Sequence, residues 1–240
     1  MRVRLFVKML VVNVALFAAA LYVVEGALWF MERKEPAQYT PPFFGYPTKF
    51  ELVRDLRRRG EYAFPSVHPR QFLQHPLWVA GRAVLPLSGI ANARTVYCNE
   101  SGAYLVFDSD EWGFNNPQGT RSKPVEIALI GDSFVQGACV PVGTGFGDLL
   151  RKARGAVYNT GMGGNGPLLE YAAFKEFVAP LKPKMVFWFY FEGNDPAELA
   201  GEWRAPVLLR YLDEGFTQNL AGVAADVDLA LAGVREPTLR

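Results

Sequence analysis

Three short blocks in the second half of the chain combine glycine with small polar side chains. They are Gly131-Asp132-Ser133-Phe134, Asn159-Thr160-Gly161-Met162-Gly163-Gly164 and Gly193-Asn194-Asp195. A serine on a tight turn presents its hydroxyl for attack on an ester carbonyl, and a neighbouring base must activate it. The oxyanion formed by that attack needs preorganised hydrogen-bond donors. Asp132, immediately before the serine, suits bracing the turn rather than a triad role. No Gly-x-Ser-x-Gly elbow occurs anywhere, so the usual α/β-hydrolase signature is missing.

Each block must be held at the end of an element. Val125–Ile130 is a short apolar run suited to a buried parallel strand, and it runs directly into Gly131. Phe146–Arg154 reads as a helix, and Ala156–Asn159 as a second strand leading into the glycine block. Pro167 can open a helix, and Leu168–Val178 carries apolar residues at helical spacing. Lys184–Phe191 reads as a third strand whose Trp188, Tyr190 and phenylalanines suit a sheet core. Alternating strands and helices predict an α/β doubly wound parallel sheet. Ligands of such sheets bind outside the carboxyl ends of the strands, where all three blocks fall. Farther on, Pro206–Leu212 and Leu220–Val234 read as helices.

In type, order and position these blocks resemble the SGNH hydrolase superfamily, the GDSL-type esterases, over residues 125–195. The third block appears here as Glu192-Gly193-Asn194-Asp195. The resemblance implies a three-layer, flavodoxin-like sheet with Ser133 as nucleophile. It implies an oxyanion hole made by the Ser133 N–H, the Gly164 N–H and the Asn194 side-chain amide. Gly131, Asp132, Gly161, Gly163, Gly193 and Asp195 are then supporting residues. Thr95–Glu100 and Ser109–Pro117 look like a subgroup of bacterial membrane-anchored members. The family draws its base from a later Asp-x-x-His block, and the chain departs from it here. Its two histidines, His68 and His75, both precede Ser133. Residues 125–240 hold fewer than four units at about 30 residues each, so the expectation is a domain incomplete at its C-terminus. The triad His and Asp are then absent from this chain, unless His68 or His75 folds back as a substitute base.

Composition bounds the alternatives. Half the residues are hydrophobic, 20% are charged and the formal net charge is +1, which excludes a disordered chain and argues against nucleic acid as a partner. Two cysteines exclude a disulfide-dense scaffold, and the lack of a C-x-x-C pair gives no zinc or thioredoxin motif. No metal and no cofactor are expected. Arg2, Arg4 and Lys8 precede an uncharged run from Met9 to Val24 that contains one polar residue, Asn13. That run predicts a membrane anchor over residues 1–31, basic end in the cytoplasm and body outside, in the periplasm of a bacterium. Its rivals are a signal peptide cleaved at Ala18-Ala19-Ala20 and a buried core helix.

Residues 32–60, with Pro36, Pro41, Pro42 and Pro47, read as a tether plus a short helix bearing Arg54, Arg57, Arg58 and Arg59. Residues 61–124 read as a small β-rich extension, with strands near Thr95–Cys98 and Ala103–Phe107. Residues 125–240 form the α/β part. Outside the cytoplasm Cys98 and Cys139 could pair or remain buried thiols.

Three function classes remain. One is a serine esterase or acylhydrolase acting on a small-molecule or carbohydrate ester. The second is a binding module, or a component of an envelope-polysaccharide acyltransferase, that keeps the pocket without the base. The third is dinucleotide binding, because Gly161-x-Gly163-x-x-Gly166 with Glu192 fits a Rossmann fingerprint.

Overall fold

A computed structural model describes residues 2–32 and 43–236. It divides into two units, Met1–Pro41 and Pro42–Arg240. Most of the proline-rich stretch read as a tether, residues 33–42, lies outside the described residues.

The first unit is one helix, α1 (Arg2–Glu32). Its Lys8–Leu28 stretch has 21 residues and a mean hydropathy of 2.0, long and apolar enough to cross a membrane. None of that stretch is buried. The polar side chain of Asn13 donates to the Met9 carbonyl at 2.9 Å. Its amide thus has a partner within the helix, as an apolar surrounding requires.

The second unit opens with α2 (Lys49–Arg58), capped by Thr48, whose hydroxyl accepts from the Glu51 N–H. Leu52, Val53 and Leu56 bury one face of α2. Towards its C-terminal end Arg57 donates to the Ala63 carbonyl and stacks on Phe64, while Arg58 and Arg59 pair with Asp55. Strand β1 (Ala63–Pro65) leads to a hairpin of β2 (Leu77–Val79) and β3 (Arg82–Val84), then to β4 (Arg94–Val96) and β5 (Val106–Asp108). β1 pairs parallel with β4, and β4 antiparallel with β5.

A second three-stranded sheet carries the glycine blocks. β6 (Ile127–Ile130) lies between β7 (Val157–Asn159) and β8 (Met185–Trp188), and both pairings are parallel. Helices α3 (Ser133–Gln136) and α4 (Phe146–Arg154) connect β6 to β7. α5 (Pro167–Ala173) connects β7 to β8, and α6 (Asp195–Glu202), α7 (Pro206–Leu209) and α8 (Ala224–Arg235) follow. α5 ends early for its apolar pattern, because residues Phe174–Val178 widen into a π turn. The molecule is thus mixed α/β, with small sheets and several helices. Leu56, Val96, Tyr158, Leu169, Leu208 and Leu231 belong to one buried cluster, so the β-rich stretch and the parallel sheet share a core.

One expectation is overturned. Every residue from Met185 to Phe191 is exposed, between 40% and 57%, so Trp188, Tyr190 and their phenylalanine neighbours are not sheet core. β8 is the edge of its sheet, and its ladder is to β6 alone among the described residues. Its continuous apolar sequence is that of a strand covered on both faces, yet each face is only partly covered, by Tyr171 against Trp188 and by Phe146 against Phe189.

Candidate functional site

The β6 turn builds the first part of the site. Asp132 caps α3 by accepting from the Phe134 N–H through Oδ1 at 2.9 Å. Its other oxygen accepts from Asn194 Nδ2 at 3.1 Å, joining the ends of β6 and β8. Asp132 is therefore the brace its position suggests, and it occupies one N–H of the amide proposed for the oxyanion hole. Ser133, half-buried, is the first residue of α3. Its hydroxyl makes no hydrogen bond to any other described residue, and neither does its backbone N–H. Beside it Phe134 and Phe191 pack edge-on with ring centroids 5.0 Å apart, an apolar wall between the first and third blocks. A Cβ on Gly193 would lie 2.6 Å from the Phe191 ring, so any larger residue there would push that ring aside.

The glycine block is bound to α3 from beneath. Asn159 donates to the Val135 carbonyl at 2.6 Å and accepts from the Gly161 N–H at 2.8 Å. A Cβ on Gly161 would lie 2.5 Å from the Gln136 nitrogen, so only glycine lets the loop pass this close to α3. Asn159 is itself held by Asn116, which accepts from its N–H at 2.9 Å and donates to its carbonyl at 2.8 Å. Asn116 belongs to a turn built around the buried carboxylate of Asp110, which accepts from the Trp112 and Phe114 N–H groups and from Asn116. Burial raises the Asp110 carboxyl to about 6 despite those bonds.

Three residues from earlier in the chain close over the glycine block, and of these the sequence offered only His68, as a substitute base. His68 Nδ1 lies 2.7 Å from the Gly163 carbonyl oxygen, with Nε2 3.3 Å from the Ser66 hydroxyl. The Tyr97 hydroxyl lies against Gly163, where a Cβ would fall 1.9 Å from it. Arg70, ion-paired with Glu198 at 3.3 Å, passes beside Gly164. Both ring nitrogens of His68 are engaged away from Ser133, so His68 folds back to the block without standing as its base. His75 makes no hydrogen bond to Ser133 either. Separation along the chain hid Tyr97 and Arg70.

On the far side of the block lies an acidic cluster. Glu202 accepts from the Gly166 N–H at 2.7 Å and the Leu168 N–H at 2.9 Å, capping α5. The α5 N–H groups that a dinucleotide pyrophosphate would occupy are thus filled by a carboxylate of the chain itself. This removes the physical basis of the Gly161–Gly166 fingerprint. Asp195, 1% exposed, accepts from the Phe191 N–H at 2.7 Å and so shapes the third turn. Burial, aided by the Asp132 charge, raises its carboxyl. Glu170 accepts from the Trp188 indole at 2.6 Å, and burial pushes its carboxyl up to about 8. No cluster of three or more His, Cys, Asp or Glu among the described residues has metal-binding geometry.

Cys98 and Cys139 are joined in a disulfide with Cα atoms 5.4 Å apart. It ties the end of the β4 segment to the loop that follows α3. In that loop the Ala138 N–H returns to the Ser133 carbonyl at 2.9 Å.

Comparison with family models, with curated proteins and with solved structures gives no match to this chain.

Proposed function

We propose that the body is a serine esterase or acylhydrolase site of SGNH type, held outside the cytoplasm by α1, with Ser133 as the nucleophile. The observation that carries this reading is the Asn194–Asp132 hydrogen bond, which brings the serine turn and the Gly-Asn-Asp turn together. In this reading the sheet is the start of a doubly wound arrangement. The oxygen of an attacked ester carbonyl accepts from the unengaged Ser133 and Gly164 N–H groups and from the second N–H of Asn194. Phe134 and Phe191 cover the apolar side of the ester. The serine proton has no acceptor among the described residues, so the chain alone turns over slowly.

A second reading is favoured by that same missing acceptor: a binding module, or an envelope-polysaccharide acyltransferase component, that holds the ester without cleaving it. External base separates the two. A fluorophosphonate should label Ser133 slowly, and free imidazole should accelerate the labelling by taking the serine proton. Both effects should vanish in Ser133→Ala. Absence of Ser133 labelling at any imidazole concentration would leave the binding module as the better account.

A further inference from the structure

We infer that His68 is a positioning residue for the oxyanion site: by holding the Gly163 carbonyl it fixes the direction in which the Gly164 N–H points. The inference rests on the esterase reading above and adds a residue that the sequence offered only as a base.

Met162, Gly163, Gly164 and Asn165 form a turn closed by the Asn165 N–H on the Met162 carbonyl at 3.2 Å. Gly164, its third residue, has φ +77°, whereas Gly163 is not in the left-handed region. That combination defines a type II turn. Types I and II differ chiefly by a flip of the central peptide, which here joins Gly163 to Gly164. Two consecutive glycines offer no Cβ to bias the flip, so the bias must come from outside the turn.

His68 supplies it. A carbonyl oxygen can only accept, so Nδ1 at 2.7 Å carries the proton and donates. In the neutral ring Nε2 is then free to accept from the Ser66 hydroxyl. The peptide is trans, so its N–H points opposite to its carbonyl. With the Gly163 oxygen held by His68, the Gly164 N–H faces away from the histidine and has no partner among the described residues. From α3, Gln136 Oε1 accepts from the Gly163 N–H at 2.7 Å, fixing the preceding peptide. The turn is therefore clamped on one side by α3, which begins with Ser133, and on the other by a residue 95 positions earlier in the chain. The His68 backbone is set in turn, since the Gln71 N–H donates to its carbonyl at 3.0 Å.

Substitutions at His68 separate this role from simple packing. The side-chain amide of asparagine can place a donor near the position of Nδ1, whereas that of glutamine reaches towards Nε2. Crystal structures of the chain and of His68→Ala, His68→Asn and His68→Gln should show Gly164 with positive φ in the parent and in the asparagine variant. The alanine and glutamine variants should show a flipped central peptide. Fluorophosphonate labelling of Ser133, followed by mass spectrometry with imidazole present, should fall about tenfold in those two and stay within about twofold of the parent in His68→Asn. One lost neutral hydrogen bond is of that size. Should the alanine variant fail to fold, the asparagine and glutamine pair decides alone. A Gly164 that keeps its positive φ in the glutamine variant would overturn the inference, as would equal labelling of the asparagine and glutamine variants. A parent chain that never labels at Ser133, yet whose turn flips with His68, would overturn the esterase reading while supporting the assignment of the turn.

Discussion

Replacing Cys98 and Cys139 by serine tests how the body is held together around its serine turn. The bridge spans 41 residues of sequence. In the chain-entropy account, a closed loop of that length removes roughly 13 cal/mol/K from the unfolded ensemble, about 4 kcal/mol at 25 °C. Native-state relaxation returns part of this, so an observed loss of about 2–4 kcal/mol is expected. For a body of this size each kcal/mol moves the melting temperature by about 2–4 °C, giving a fall of about 4–16 °C. Urea titration of the oxidised parent, the reduced parent and the double-serine variant measures the loss. The reduced parent and the variant should coincide, because the effect belongs to the crosslink and not to either side chain. Amide exchange should quicken at Gly137 and Ala138, which connect the bridge to the Ser133 carbonyl. A loss below about 1 kcal/mol, or a reduced parent as stable as the oxidised one, would refute the reasoning.

Glu170 sets a pH dependence. Its folded value of about 8 lies above the ordinary 4.5, so between those values the folded chain keeps a proton that the unfolded chain releases. Stability then falls as pH rises through that window, by at most ~1.4 kcal/mol per unit from this group. Glu170→Gln should flatten the slope, and urea midpoints at pH 5, 7 and 8.5 with parallel slopes for parent and variant would contradict this. Asn116→Ala should cost about 2–4 kcal/mol, because it strips partners from the buried backbone of Asn159 and from Asp110; a loss under 1 kcal/mol in chemical denaturation counts against the clamp. The exposed β8 edge should make the isolated body, residues 42–240, self-associate with concentration. Val186→Lys should suppress this in sedimentation velocity, and an unchanged profile would show that the edge is not the contact.

The three blocks were legible because each breaks an apolar run with glycine and a small polar residue, a local pattern. Asp132 as a brace was legible for the same reason, since its partner Phe134 is two residues away. The closure over Gly163 was not. It depends on His68 and Tyr97, whose reach across the chain leaves no trace in spacing. β8 was misjudged from a sound premise. A run of Met, Val, Phe, Trp, Phe, Tyr and Phe states what surroundings a strand requires, and cannot state whether they are present. The break in the α5 pattern at Phe174 was equally hidden, because a π turn keeps the apolar residues inward while changing the hydrogen-bond step.

Asn116 gives the parallel sheet a polarity. By taking both the N–H and the carbonyl of Asn159, its side chain stands in for a neighbouring strand and seals the outer margin of β7. At the opposite margin Met185 and Phe189 direct their N–H groups at β6, so by alternation those of Val186 and Trp188 point outward. The sheet can therefore be lengthened in one direction only. Whatever strand extends it must arrive beside β8, on the side where Asn194 and Phe191 already mark the third block.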